Sequence, residues 1–104
     1  MQIVNDTNFK SEVLESEIPV IVDFYADWCG PCKMYASTFE ALSEKFAGKV
    51  KFVKLNVDNA MNTARAYSVM SIPTTILFKN GNAIANICGA YNSADLENWI
   101  HAKI

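Results

Sequence analysis

The chain has 104 residues, enough for one domain that buries a single core without covalent staples. Hydrophobic residues make up 51% and charged ones 19%, and the formal net charge of -2 gives no electrostatic reason to seek nucleic acid or a membrane surface. Three cysteines, an odd number, argue against a secreted disulfide framework. No apolar run approaches a membrane span and no charged-then-apolar leader precedes the first strand, so a cytoplasmic protein is expected.

Gln2, Ile3 and Val4 open as a short strand. Asn5, Asp6 and Thr7 follow as N-cap candidates for a helix carrying Phe9, Val13 and Leu14 on one face. Pro19 stops that pattern. The run from Val20 to Tyr25 is apolar apart from Asp23 and reads as a strand buried on both faces. Trp28 and then Cys29-Gly30-Pro31-Cys32 come directly after it. Met34, Phe39, Leu42 and Phe46 next recur at helical spacing until Gly48 ends the helix. Two cysteines therefore stand where a strand hands over to a helix. Unpaired backbone N–H groups concentrate partial positive charge there and favour the thiolate, the nucleophilic form of cysteine.

Lys49 to Val57 is a further strand, with Val50, Phe52, Val53 and Leu55 apolar and Lys51, Lys54 and Asn56 polar. Asn59 to Tyr67 reads as a short helix bearing Met61, Ala64 and Tyr67. Thr74 to Lys79 is a strand, Asn80-Gly81 is a strong hairpin signal, and Ala83 to Cys88 returns as the antiparallel partner. Asn92 or Ser93 caps a last helix whose buried stripe is Leu96, Trp99 and Ile100. The predicted order is β-α-β-α-β-α-β-β-α. Early crossovers demand parallel pairing and the hairpin an antiparallel edge, so the fold class is α/β, with a mixed five-stranded sheet flanked by four helices.

Five stretches now stand out: VDFYADWCGPCK at Val22 to Lys33, KLNVD at Lys54 to Asp58, SIPT at Ser71 to Thr74, FKNG at Phe78 to Gly81, and Gly89-Ala90. Their order and spacing resemble those of the thioredoxin family over essentially the whole chain. The resemblance implies a single thioredoxin domain over residues 1–104 and a general protein-disulfide reductase. It further implies a monomeric thiol–disulfide oxidoreductase, an electron carrier that binds no cofactor and no metal. By the same likeness its partners are disulfide-containing client proteins and the NADPH-dependent flavoprotein thioredoxin reductase, which returns the Cys29–Cys32 disulfide to the dithiol.

On this likeness Cys29 is the attacking nucleophile and Cys32 the resolving one, with Cys29 toward solvent and Cys32 beneath it. An ordinary thiol is only about 3% thiolate at neutral pH, and lowering its pKa by about 1.5 units, as the family does, raises that to about half. The helix terminus and a hydrogen bond from the Cys32 thiol are the available causes. Gly30-Pro31 tunes the pair. In the family Gly-Pro between the cysteines accompanies reductants, and Pro31 in the first helical turn gives up a backbone donor that had no partner. Asp23, isolated in an apolar strand, should have its pKa raised by desolvation. The matching family residues are a proton acceptor for Cys32 through water, with a lysine nearby at Lys54. Pro73 matches the family's cis-proline, and Gly89 and Ala90 match a second loop that lets substrate approach. Trp28, Ile72 and Ala90 would frame an apolar patch around Cys29.

Several positions depart from the family pattern. Tyr25 replaces a usual tryptophan, Ser37 a usual helix-kinking proline, and Met70 a usual polar or basic residue, which makes the substrate face more apolar. Cys88 reads as a buried small hydrophobe, with a regulatory thiol as the alternative. His101, off the buried stripe of its helix, reads as solvated. Alternatives to the reductase are an oxidant or isomerase of the same fold, a scaffold with incidental cysteines, a zinc knuckle, and an iron–sulfur carrier shared by two chains. Zinc would need Cys88 and His101 as its remaining ligands, and they form no ligand-spaced pair.

Overall fold

The computed structural model describes residues 1–104. Five strands, β1 (Gln2–Val4), β2 (Val20–Tyr25), β3 (Lys51–Asn56), β4 (Thr74–Lys79) and β5 (Asn82–Cys88), form one sheet in the order β1-β3-β2-β4-β5. β3 pairs parallel with β1 and β2, while β4 is antiparallel to β2 and β5, as the crossovers and the hairpin require. Three α-helices, α1 (Gly30–Lys45), α2 (Met61–Ala66) and α3 (Ser93–Lys103), cover it together with a π-helical segment at Lys10–Leu14. The expected α/β architecture, a mixed five-stranded sheet with four helical segments, is the one present.

β2 sits at the centre, and Val20, Ile21, Val22, Asp23 and Phe24 are all fully buried. Strand side chains alternate between faces, and the two faces feed different cores. Val20, Val22 and Phe24 join Val53, Leu55, Ile76 and Phe78 against Phe9, Val13 and Ala64. Ile21 joins Phe52 and Leu77 against Tyr35, Phe39 and Leu42 of α1 and Leu96 and Ile100 of α3. Asp23 shares parity with Ile21, so its carboxylate points beneath α1. It lies in register with Lys54 on one side and Thr75 on the other, which makes a polar row across three strands.

Two apolar stripes differ from expectation. Met34 is 76% exposed, and Tyr35 takes its place in the core beside Phe39, Leu42 and Phe46. Four residues back from Phe39 returns to the same helical face, whereas five back lies about 140° away. In α2, Met61 is exposed while Thr63 and Ala64 are buried. Asp6, one of the proposed caps, reaches across to Thr63 and accepts from its N–H at 2.9 Å and its hydroxyl at 2.7 Å. Asn5 is the residue that caps its own segment, accepting from the N–H groups of Thr7 and Asn8.

Asn80 and Gly81 make the hairpin with φ of 54° and 81°, the left-handed pair of a type I′ turn. A Cβ on Gly81 would also meet the Leu14 carbonyl at 3.3 Å. Gly81→Ala should therefore destabilise the fold by about 1–2 kcal/mol, read as a lower urea midpoint with unchanged slope.

Candidate active site

Cys29 ends the loop after β2 and is the N-cap of α1, with Gly30 and Pro31 opening the first turn. Its Sγ accepts from the Cys32 backbone N–H at 3.2 Å, the place an aspartate or serine oxygen takes in an ordinary cap. The sequence anticipated unpaired N–H groups at this helix terminus, and the structure identifies that of Cys32 as the one that reaches the sulfur. Cys29 and Cys32 are joined as a disulfide with their Cα atoms 5.2 Å apart.

Cys29 does not protrude as expected. It is 5% exposed and Cys32 3%, because the pair packs with Ala26 in a small cluster bordered by Tyr25, Val57 and Ile72. The Ile72 carbonyl oxygen lies 3.9 Å from Cys29 Sγ, and the Ile72–Pro73 peptide is cis. The Pro73 carbonyl in turn accepts the Gly89 N–H at 2.8 Å. Gly89 has φ of 110°, a conformation that suits a residue without Cβ. Two loops distant in sequence are thus tied together beside the sulfurs.

Trp28 is 70% exposed, so it is not core, and its indole N–H donates to Asp58 at 2.8 Å. Asp58 was quoted in the KLNVD stretch without a role; only the structure assigns it to holding the tryptophan. Ala90 is exposed, and Ile72 is half-buried against the Cys29 cluster. Met70 is 94% exposed on the same loop as Ile72, in keeping with a more apolar face.

Asp23 lies on the sheet under α1, and neither carboxylate oxygen has a protein hydrogen-bond partner. Burial pushes its carboxyl up to about 7, against the opposing pull of the Lys54 ammonium. Lys54 itself sits with Nζ 4.3 Å from the centroid of the Tyr25 ring, a cation–π contact that Tyr25 supplies in place of a tryptophan. A pocket of about 120 Å³ has Tyr25, Ala26, Cys32, Ala36 and Lys54 in its wall. It gives Cys32 an opening bordered by Lys54.

Cys88 corrects another expectation. It is exposed rather than buried, because it ends the edge strand β5, which has no neighbour on its outer side. Its nearest polar contact is the Thr74 hydroxyl at 3.6 Å. His101 is exposed as expected, beside Glu97 and the Phe46 ring. No three His, Cys, Asp or Glu side chains converge as a metal-binding group. No helix is long and apolar enough to cross a membrane.

The family model described as Thioredoxin matches residues 1–102. The chain is 48% identical over 101 residues to a protein named Thioredoxin from Haemophilus influenzae, covering 97% of this chain and 94% of that one. It is 51% identical over 87 residues to Thioredoxin from Synechocystis sp., covering 84% and 81%. Over 104 residues it is 44% identical to Thioredoxin M-type, chloroplastic, from Pisum sativum, covering 100% of this chain and 60% of the relative.

Proposed function

Because the chain belongs to the thioredoxin family and is a general protein-disulfide reductase working through Cys29 and Cys32, we propose a role for each residue of the site. The reduced Cys29 thiolate attacks a client disulfide. The client S–S bond breaks, a mixed disulfide forms, and the first client sulfur leaves as a thiolate that takes up a proton. Cys32 then loses its proton toward Asp23 and attacks the Cys29 sulfur. The second client thiolate departs, two electrons have passed to the client, and the protein is left with its own disulfide.

The observation that carries this reading is the Cys29 sulfur seated at a helix N-cap with the Cys32 N–H aimed at it. A hydrogen bond to the charged form favours that form, and the helix dipole acts in the same direction. Asp23 suits the second step because a carboxylate held near neutrality can take a proton and give it back at working pH. Lys54 limits how far that pKa rises, and its side chain lines the same pocket as Cys32. Pro31 holds the first turn of α1, and the space beside Gly30 is open, with nothing within 4 Å of where its Cβ would be.

Trp28, Ile72, Pro73, Gly89 and Ala90 would receive the client as an extended segment across the Ile72 carbonyl. Residues 1–104 act as one domain and as a monomer in the cytoplasm. An NADPH-dependent flavoprotein reductase returns the disulfide to the dithiol, so that the protein carries electrons to its clients.

The test is the pH dependence of iodoacetamide alkylation of the reduced protein. Cys29 should titrate at least about one unit below the 8.5 of an ordinary thiol. Half-maximal alkylation near 8.5 would overturn the activation by α1.

A further inference from the structure

Three concavities mark the surface, and two of them carry charge. Asp27, Lys33 and Lys54 line the one beside Cys32, and Asp6 and Lys10 the one between the π-helical segment and α2. The third, of about 220 Å³, has no acidic, basic or histidine side chain in its wall, which is made of Met34, Tyr35, Thr38, Ala90, Tyr91 and Asn92. We infer that this pocket is a second client subsite, taking one uncharged apolar side chain two residues from the cysteine under attack. The inference rests on the reading of Cys29 as the attacking sulfur and extends it to the choice of client.

Position is the first argument. The Ile72 carbonyl touches Cys29 Sγ, the next residue Pro73 holds Gly89, and Ala90 and Tyr91 follow directly into the pocket wall. On its other side Met34 lies five residues beyond Cys29, about 7.5 Å along the axis of α1. An extended client bonded at Cys29 advances about 6.6 Å over two residues and returns its side chain to the same face. The two advances are of the same order.

Chemistry is the second. A wall without formal charge rewards taking an apolar group out of water and gives an ionised one no partner. Two of its residues are held in place. Tyr35 is buried with its hydroxyl 2.7 Å from the Thr75 hydroxyl, and the exposed Asn92 caps α3 by accepting the Asp95 N–H at 2.9 Å. Its lip is adaptable. Met34 is 76% and Tyr91 38% exposed, a flexible thioether and a flat ring that can close on side chains of different shape. The sequence had placed Met34 in the core, so the exposed thioether at this lip is a feature only the structure shows.

Symmetric disulfide peptides with one cysteine, carrying leucine, alanine or aspartate two residues before or after it, test the proposal with dithiothreitol as electron source. The leucine peptide of one series should exceed its alanine counterpart about tenfold in kcat/KM, with aspartate no better than alanine. Met34→Ala should bring the leucine-to-alanine ratio close to one, and Met34→Leu should keep it. Circular dichroism checks that both variants fold. A ratio near one in the unmodified protein, or a ratio unmoved by Met34→Ala, overturns the subsite. Hydroxyethyl disulfide, which has no side chain for the pocket, serves as reference. If the unmodified protein fails to reduce even this, the Cys29 reading falls and the subsite with it.

Discussion

Cys29→Ser should reduce insulin no faster than dithiothreitol alone, a loss of about a thousandfold or more in kcat/KM. Serine at the N-cap keeps the hydrogen bond from the Cys32 N–H and leaves the fold intact, but its hydroxyl does not ionise near neutral pH and cannot displace a sulfur. Cys32→Ser should lose turnover in a different way. The donor to Cys29 is a main-chain N–H, which serine retains, so the attacking sulfur stays activated and the first step survives. Release is what fails. Mass spectrometry should find the Cys32→Ser protein carrying a client through a persistent bond at Cys29, while Cys29→Ser carries none. Equal trapping by both variants would remove the assignment of attacking and resolving sulfurs.

Asp23→Asn should slow release of the mixed disulfide and at the same time stabilise the protein at pH 8 by about 2–4 kcal/mol. The sign follows from where the protons are. Asp23 holds its proton to about 7 in the folded protein and only to 3.8 in the unfolded chain. Between those values the native state binds more protons, so stability falls as pH rises and levels off above pH 7. A gap of about 3 units corresponds to about 4 kcal/mol, and the asparagine amide, itself buried without partners, forfeits part of the gain. Urea unfolding at pH 4 and pH 8 measures it: the two proteins should differ little at the lower pH and diverge at the higher. Parallel stability curves would refute the raised carboxyl.

Much of the site was legible because its parts are local. The β2 run, the Cys29-Gly30-Pro31-Cys32 junction and the Asn80-Gly81 turn each specify structure through neighbours in sequence, and all three formed as expected. The isolation of Asp23 in an apolar strand was enough to give the direction of its pKa. What escaped depends on contacts between distant segments. Whether Met34 or Tyr35 faces inward turns on one helical step and on Thr75 waiting across the interface to take the tyrosine hydroxyl. Cys88 was misplaced because a free cysteine reads as a small buried hydrophobe, although the hairpin already announced an antiparallel edge. The Asp58 clasp on Trp28 joins residues thirty positions apart, and nothing in either stretch calls for the other.

The recess around the disulfide sets a condition on whoever regenerates the protein. Displacement at sulfur proceeds in line, so an incoming thiol must approach Cys29 from the side opposite Cys32, and only a twentieth of that residue is open to solvent. A thiol sunk in a broad, flat surface finds little of that sulfur to meet, with the Ile72 carbonyl 3.9 Å from it. Electron donors for this molecule must therefore present their sulfur on something slender, such as a protruding loop or a chain end.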